Sequence, residues 1–169
     1  MEFDSFGVRY RMKQMAAADA FRVFINAQDL GPLDMMRDVS VKTDSGWVEL
    51  FDESNLNTFV RDNKHIVQPR EVLNGLISVV SEFNWGFLKH RQQLKVPSYL
   101  RGNSEVKSVE GIDPVMGTLI AAGKATLIEL ETHYSLEDAF KIYDILCNDQ
   151  INKAQAQYDA VQAAKSKAK

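Results

Sequence analysis

The amino-acid sequence predicts a mainly α-helical protein with a minor β-hairpin. Apolar residues recur at spacings of three and four over long stretches, most clearly over residues 70–90 and 136–165, which is typical of amphipathic helices. The tripeptide Asp44-Ser45-Gly46 favours a turn, and it separates two short runs rich in residues that favour strands. Together these observations indicate helices as the main element and one hairpin as the exception.

The sequence also predicts a division of the chain. Residues 102–113 contain glycine, serine and asparagine, hold no long apolar run and are followed by Pro114, which favours a linker. We therefore expect an N-terminal, mostly helical domain over residues 1–101. A C-terminal helical region over residues 114–169, built as a helical hairpin or around one long helix, is expected to follow.

The first predicted elements lie before the hairpin. Residues 1–11 alternate loosely between polar and apolar side chains, which predicts a short strand or an extended arm. Residues 13–29 predict a helix, because alanines and aromatic residues share one face. Gly31-Pro32 favours the end of that helix, since proline cannot continue it. Residues 39–41 and 47–51 are the predicted arms of the hairpin.

Two further helices are predicted in the N-terminal domain. Asp52 and its neighbours offer N-cap side chains for a short helix that reaches about Arg61. Residues 70–90 predict a long amphipathic helix, and Pro69 suits its start. Gly75 and Gly86 weaken this helix relative to alanine and allow close approach of another helix.

The C-terminal region is predicted to hold two helices. Residues 114–131 have a wide apolar face and predict one helix. Ser135 and Asp138 match the pattern of a helix N-terminal cap, so the longest helix is expected to begin there. Along it runs an apolar stripe, suited to packing against another helix of the same chain or of a partner. The stripe comprises Leu136, Phe140, Tyr143, Cys147, Ile151, Ala154, Tyr158 and Val161.

Composition limits the classes of function. The chain has 169 residues, 45% of them hydrophobic, and a formal net charge of −3, which does not favour broad affinity for nucleic acid or membranes. Apolar runs are short and the first residues show no secretory signal pattern. Cys147 is the only cysteine, which fits a reducing compartment such as the cytosol.

Catalytic and metal-binding residues are not predicted. Glu129, Glu131, His133, Ser135 and Asp138 lie close together in sequence, but their spacing matches no metal or nucleophile motif. The segment is better explained as the end of one helix and the start of the next. We therefore expect no enzyme activity, no cofactor and no metal.

One basic segment is a candidate for nucleic-acid binding. The basic side chains of Lys89, His90, Arg91 and Lys95 are followed by Tyr99 and Arg101. The simpler interpretation is that these cations follow the end of a helix, where they interact favourably with its dipole. We expect no nucleic-acid partner.

Three segments together resemble the tail assembly chaperones of tailed bacteriophages. They are Tyr10-Arg-Met-Lys-Gln-Met-Ala-Ala-Ala-Asp-Ala-Phe-Arg-Val23, Glu82-Phe-Asn-Trp-Gly-Phe-Leu88 and Tyr134-Ser-Leu-Glu-Asp138. The second contains an N-x-G-F element that ends a long helix in that group. The segments are scattered along the chain and cover a small part of it.

The resemblance implies a small, mostly helical, non-enzymatic protein made in the cytoplasm of the host bacterium. Its implied partners are the tape-measure protein and the tail-tube protein, with self-association also open. The alternative is a structural virion protein, an adaptor of the tail or baseplate packed through its C-terminal helix. The candidate partner-binding residues are Phe83, Trp85, Phe87, Leu136, Phe140, Tyr143, Ile151 and Tyr158; for the first three, ordinary core packing is the competing interpretation.

Overall fold

The computed structural model describes residues 1–25, 31–92, 94–100 and 109–167. Seven α-helices and a small four-stranded antiparallel sheet make up the described fold, which confirms the predicted mainly α class. The strands are β1 (Glu2–Ser5), β2 (Val8–Met12), β3 (Val39–Thr43) and β4 (Gly46–Glu49). The α-helices are α1 (Ala17–Ile25), α2 (Pro32–Met36), α3 (Glu53–Phe59), α4 (Pro69–Trp85), α5 (Pro114–Ala121), α6 (Leu127–Thr132) and α7 (Leu136–Lys167).

The sheet is larger than the single hairpin that we predicted. The predicted hairpin forms between β3 and β4, with its turn at Asp44-Ser45. The four strands lie in the order β1-β2-β3-β4. Residues 1–11, expected as one strand or an arm, instead fold into two strands. Phe6 and Gly7 form the turn, with φ angles of 52° and 73°. Phenylalanine seldom adopts this left-handed conformation, so the sequence did not predict a turn at Phe6.

The Phe6 turn also explains the glycine within α4. A Cβ atom added at Gly75 would lie 2.9 Å from Cε2 of Phe6, closer than van der Waals contact allows. The Asn63 backbone N–H donates to the Phe6 carbonyl at 3.0 Å, which holds the turn over the helix. The close approach at Gly75 is therefore that of the first hairpin, and not of a helix as predicted.

Helix α1 begins four residues later than the sequence predicts. Residues 13–16 are not helical because tertiary partners accept their hydrogen bonds: Lys13 N–H donates to the Asp38 carbonyl and Met15 N–H to the Asn84 side chain. Ala17 N–H donates to the Tyr134 carbonyl at 2.7 Å. The predicted end of this helix, at residues 26–29, lies outside the described residues.

Helices α3 and α4 lie close to their predicted positions. The Asp52 side chain accepts from the Asn55 N–H at 2.8 Å and caps α3. Helix α4 begins at Pro69 and ends at Trp85. The residues predicted as its last turn form a 3-10 helix instead, over Gly86–Lys89. A second 3-10 turn covers Ser98–Leu100.

The prediction of one helix over 114–131 is wrong. Gly123 has φ of 63°, a left-handed conformation that ends α5. Helix α6 then starts with its own capping box: the Thr126 hydroxyl accepts from the Glu129 N–H at 3.2 Å, and the Glu129 carboxylate accepts from the Thr126 N–H at 2.8 Å. The Thr126 donors lower the pKa of Glu129.

One hydrophobic core joins the sheet to the helices on both sides of residues 102–113. Helices α6 and α7 pack on α1, and α7 also contacts α4. The core includes Tyr10 and Met12 from β2, Leu76 from α4 and Leu130 from α6. Most of the predicted linker and its hinge, residues 101–108, lies outside the described residues.

Asp38 provides a test of this packing by pH. Burial raises the pKa of Asp38 above its ordinary value of 3.8, with Asp19 and Glu49 adding to the effect and Arg37 and Lys13 opposing it. The folded state thus binds the Asp38 proton more tightly than the unfolded state, so ionisation of this group costs stability as pH rises. We expect Asp38→Asn to raise the free energy of unfolding at neutral pH, with the gain vanishing below pH about 4.

Urea unfolding of the wild type and Asp38→Asn between acidic and neutral pH measures this difference. Asp44→Asn, an equal charge change in the exposed hairpin turn, is the control. A gain that is constant with pH, or shared by Asp44→Asn, would contradict the assignment to Asp38 burial.

Candidate partner-binding grooves along the C-terminal helix

The start of α7 is anchored to the N-terminal half of the chain. The Ser135 hydroxyl accepts from the Asp138 N–H, and the Asp138 carboxylate accepts from the Ser135 N–H, both at 3.2 Å. These are the two hydrogen bonds of the predicted cap. Ser135 also pairs with Ala16 as an isolated β-bridge, so the start of α7 is held beside the start of α1.

The apolar stripe of α7 changes from covered to open along the helix. Leu136 is 2% exposed and belongs to the core, while Phe140, Tyr143, Cys147 and Ile151 are half-buried. Beyond them, Tyr158 is 40% exposed and Val161 is 50% exposed. The first turns of the stripe therefore hold the fold together, and the later turns remain available for another molecule.

A strap of irregular chain, residues 90–92 and 94–97, lies against the middle of α7. The Arg91 guanidinium donates to both carboxylate oxygens of Asp144, from Nε at 3.0 Å and from Nη2 at 2.5 Å. The same guanidinium lies 4.3 Å from the centre of the Phe140 ring. Because the pair is partly shielded from solvent and bidentate, it fixes the strap on the helix more firmly than an exposed ion pair would.

Phe140 connects the strap to the core. Its ring centre lies 5.5 Å from that of Phe21 in α1 and 5.9 Å from that of Phe87 in the 3-10 helix. Both distances fall in the range of favourable aromatic contacts. Phe140 thus has the core on one side and the Arg91 guanidinium on the other.

Two grooves flank the contact between the strap and α7. The smaller groove, about 660 Å³ in volume, is mostly apolar, and its walls include Leu94, Val96, Val115, Tyr143, Cys147 and Ile151. The larger groove, about 1200 Å³, has Phe87, Leu94 and Phe140 as its apolar part and charged side chains around them. Phe140, Leu94 and Arg91 line both grooves, so the two meet at the strap.

Comparison of the chain with protein-family models, with curated proteins and with solved structures gives no match.

The structure separates the candidate partner-binding residues into groups. Phe87, Phe140, Tyr143 and Ile151 line the grooves. Leu136 is buried, so its assignment to a partner surface is corrected: it packs in the core of its own chain.

The other three candidates lie elsewhere. Phe83 packs against the core, in agreement with the competing interpretation. Trp85 lines a separate apolar pocket beside α1 and α2, together with Val23 and Met35. Tyr158 stacks on Tyr99, with ring centres 4.4 Å apart, at the outer part of α7. The predicted cluster of Phe83, Trp85 and Phe87 is thus not a single surface.

The basic segment that was a candidate for nucleic-acid binding is largely engaged within the chain. Lys89 forms an ion pair with Glu82, and Arg91 forms one with Asp144. Among the described residues, no group of three or more histidine, cysteine or acidic side chains could hold a metal ion. None of the described helices is both long and apolar enough to cross a bilayer.

The polar residues between α6 and α7 have structural contacts. Glu129 completes the cap of α6, and the His133 N–H donates to the Glu129 carbonyl at 2.8 Å at the end of that helix. The Thr132 hydroxyl lies 2.5 Å from Nδ1 of His133 at the surface. These contacts explain the segment as a junction between two helices.

The structural roles of two residues, Asn84 and Arg91, were not predicted from the sequence. Asn84 is 2% exposed; its side-chain carbonyl accepts from the Met15 N–H at 2.8 Å, and its amide donates to the Val80 carbonyl at 3.0 Å. Arg91 was considered only as part of a basic segment. A signal existed for Asn84, since it continues the buried face of Leu76 and Val80 at intervals of four.

Proposed function

We propose that the protein is a tail assembly chaperone of a tailed bacteriophage, which holds apolar helices of the tape-measure protein in the grooves along α7. The observation that carries the proposal is that the apolar stripe of α7 is buried at Leu136 but only half-buried at Tyr143, Cys147 and Ile151, where it forms one wall of the smaller groove. The resemblance of three sequence segments to such chaperones supports the same function.

The shape and chemistry of the smaller groove suit a helix as the bound element. An amphipathic helix binds by placing apolar side chains from successive turns into an apolar channel. The walls of this groove come from the strap, from α5 through Val115 and from α7 through Tyr143 and Ile151. No carboxylate lines the smaller groove among the described residues, so an apolar side chain entering it would not bury an acid.

A chaperone of this kind acts in the cytoplasm of the host bacterium before the tail is complete. The tail-tube protein is its second proposed partner. The proposed chaperone function requires no cofactor and no catalytic residue. The proposed role is to cover apolar helices until they assemble, which requires binding that is reversible.

Co-expression with the tape-measure protein of the same phage tests the proposal. We expect that protein to become more soluble and to elute with the chaperone in one complex on size exclusion. If its solubility is unchanged and no complex appears, the proposal is wrong.

Cys147 allows the bound surface to be located in the same experiment. It is the only cysteine, it is half-buried and it lines the smaller groove. A bound helix should slow modification of its thiol by a maleimide, and prior modification should block binding. Cys147→Ser treated in the same way is the control, because it keeps a similar size and cannot react.

The second candidate function is a structural protein of the tail or baseplate. It is favoured by the exposure of Tyr158 and Val161 on the outer part of α7, which could pack on a neighbouring subunit. Mass spectrometry of purified particles separates the two functions. A chaperone should be absent from the particle, whereas an adaptor should be present at a fixed copy number.

A further inference from the structure

The larger groove is locally basic although the chain is acidic. Its lining includes three side chains with a full positive charge, Arg91, Lys95 and Lys141, and two carboxylates, Glu137 and Asp144. An excess of one positive charge remains, and the His90 imidazole also lines the groove. The whole chain, by contrast, has a formal net charge of −3.

The charges of the larger groove are not equally available. Arg91 and Asp144 are paired and partly shielded from solvent. The pair between Lys141 and Glu137, at 2.8 Å, has its ammonium group largely exposed, so it contributes little and is readily exchanged. Lys95 is exposed and forms no ion pair with any carboxylate that the structure describes. Lys95, His90 and Lys141 are therefore the groups that an incoming partner meets.

We propose that the larger groove binds client helices that have acidic side chains beside their apolar stripe. The apolar stripe of the client helix lies on Phe87, Leu94 and Phe140 of this chain. The acidic side chains of the client approach Lys95 and Lys141. This inference rests on the proposed function, since it names the class of helix that the chaperone accepts. Charge complementarity of this kind mainly determines which partner is selected.

A helix fits this groove better than a nucleic acid does. Glu137 and Asp144 lie in the lining, so a continuous phosphate backbone would pass beside two carboxylates and be repelled. A helix has separate acidic side chains that can avoid them. The aromatic surface of Phe140 is also partly covered by the Arg91 guanidinium, which leaves less ring for a base to stack upon.

The test uses two labelled peptides of about five helical turns with the same apolar stripe, one flanked by glutamates and one by lysines. Fluorescence anisotropy against the full chain measures both affinities. At low salt we expect the glutamate peptide to bind about tenfold more tightly, because two or three exposed pairs form. The preference should largely disappear at about 1 M NaCl, where the Debye length is about 3 Å.

Charge variants locate the effect in the groove. Lys95→Glu is expected to abolish or reverse the preference, and Lys141→Gln to reduce it. Lys124→Glu is the matched control, because Lys124 is exposed, does not line the groove and changes the net charge equally. Thermal unfolding of each variant verifies that it is folded, which is expected since these lysines are exposed.

Three results of the binding measurements with peptides and an oligonucleotide would overturn the inference. They are equal affinity for the two peptides, binding of neither peptide, and tighter binding of a single-stranded oligonucleotide than of the glutamate peptide. A complex with the tape-measure protein that forms regardless of Lys95→Glu would also overturn it while leaving the proposed function intact. If the wild-type chain forms no complex with the tape-measure protein but retains the peptide preference, the proposed function is contradicted instead.

Discussion

Replacing Asn84 with alanine is expected to lower the free energy of unfolding by about 3 kcal/mol. The Met15 N–H would lose its buried acceptor, and a cavity would open where the amide now lies. The segment before α1 would then lose the contact that fixes its position over α4. Urea denaturation followed by circular dichroism measures the change.

Asn74→Ala is the matched control, because Asn74 belongs to the same helix and is exposed. We expect it to leave stability unchanged or to raise it slightly, since alanine favours helix. Asn84→Asp should be more damaging than Asn84→Ala at neutral pH, because a carboxylate would face the Val80 carbonyl that the amide now bonds. It should recover partly in acid, where the protonated group can donate. A cost for Asn84→Ala below about 1 kcal/mol would contradict the role assigned to this residue.

Phe140→Ala is expected to lower the free energy of unfolding by about 2 to 3 kcal/mol and, under the proposed function, to weaken binding of the tape-measure protein. The ring is half-buried and contacts two aromatic rings and the Arg91 guanidinium, so its removal takes away both packing and the surface on which the strap lies. Urea denaturation measures the first effect and co-elution with the tape-measure protein measures the second. Each is compared with Phe140→Leu, which retains most of the apolar volume.

Phe51→Ala is the control for the loss of a phenyl ring. Phe51 is 55% exposed, and we expect its removal to change stability by less than about 0.5 kcal/mol. If Phe140→Ala were as mild as Phe51→Ala, the ring would not connect the strap to the core. If stability fell but client binding were unchanged in the remaining folded protein, the grooves would not be the client site.

The elements that could be predicted have local signals. The hairpin at Asp44-Ser45 has turn residues between strand-forming runs, and α7 has a cap at Ser135 followed by a regular stripe. The break between α5 and α6 also has local signals, namely Gly123 and the capping box of Thr126 and Glu129. The apolar residues on either side of this break nevertheless predict one continuous helix, because they share what would be a single helical face.

Other features depend on partners that are distant in sequence. Residues 13–16 look helical, but their backbone groups bond to Asp38, Asn84 and, through Ala16, to Ser135. The stripe on α7 was predicted, but which half would be covered depends on the strap and on α5. Phe83 and Trp85 in α4 contact the core and a separate pocket, and Phe87 reaches the larger groove from the 3-10 helix that follows.

The ion pair that fixes the strap joins residues 53 positions apart, Arg91 and Asp144. One wall of each groove is therefore synthesised long before the other. During translation, the strap leaves the ribosome first, and no groove exists until α7 follows it. If the protein has the proposed chaperone function, a nascent chain that lacks α7 has neither groove with which to hold a client.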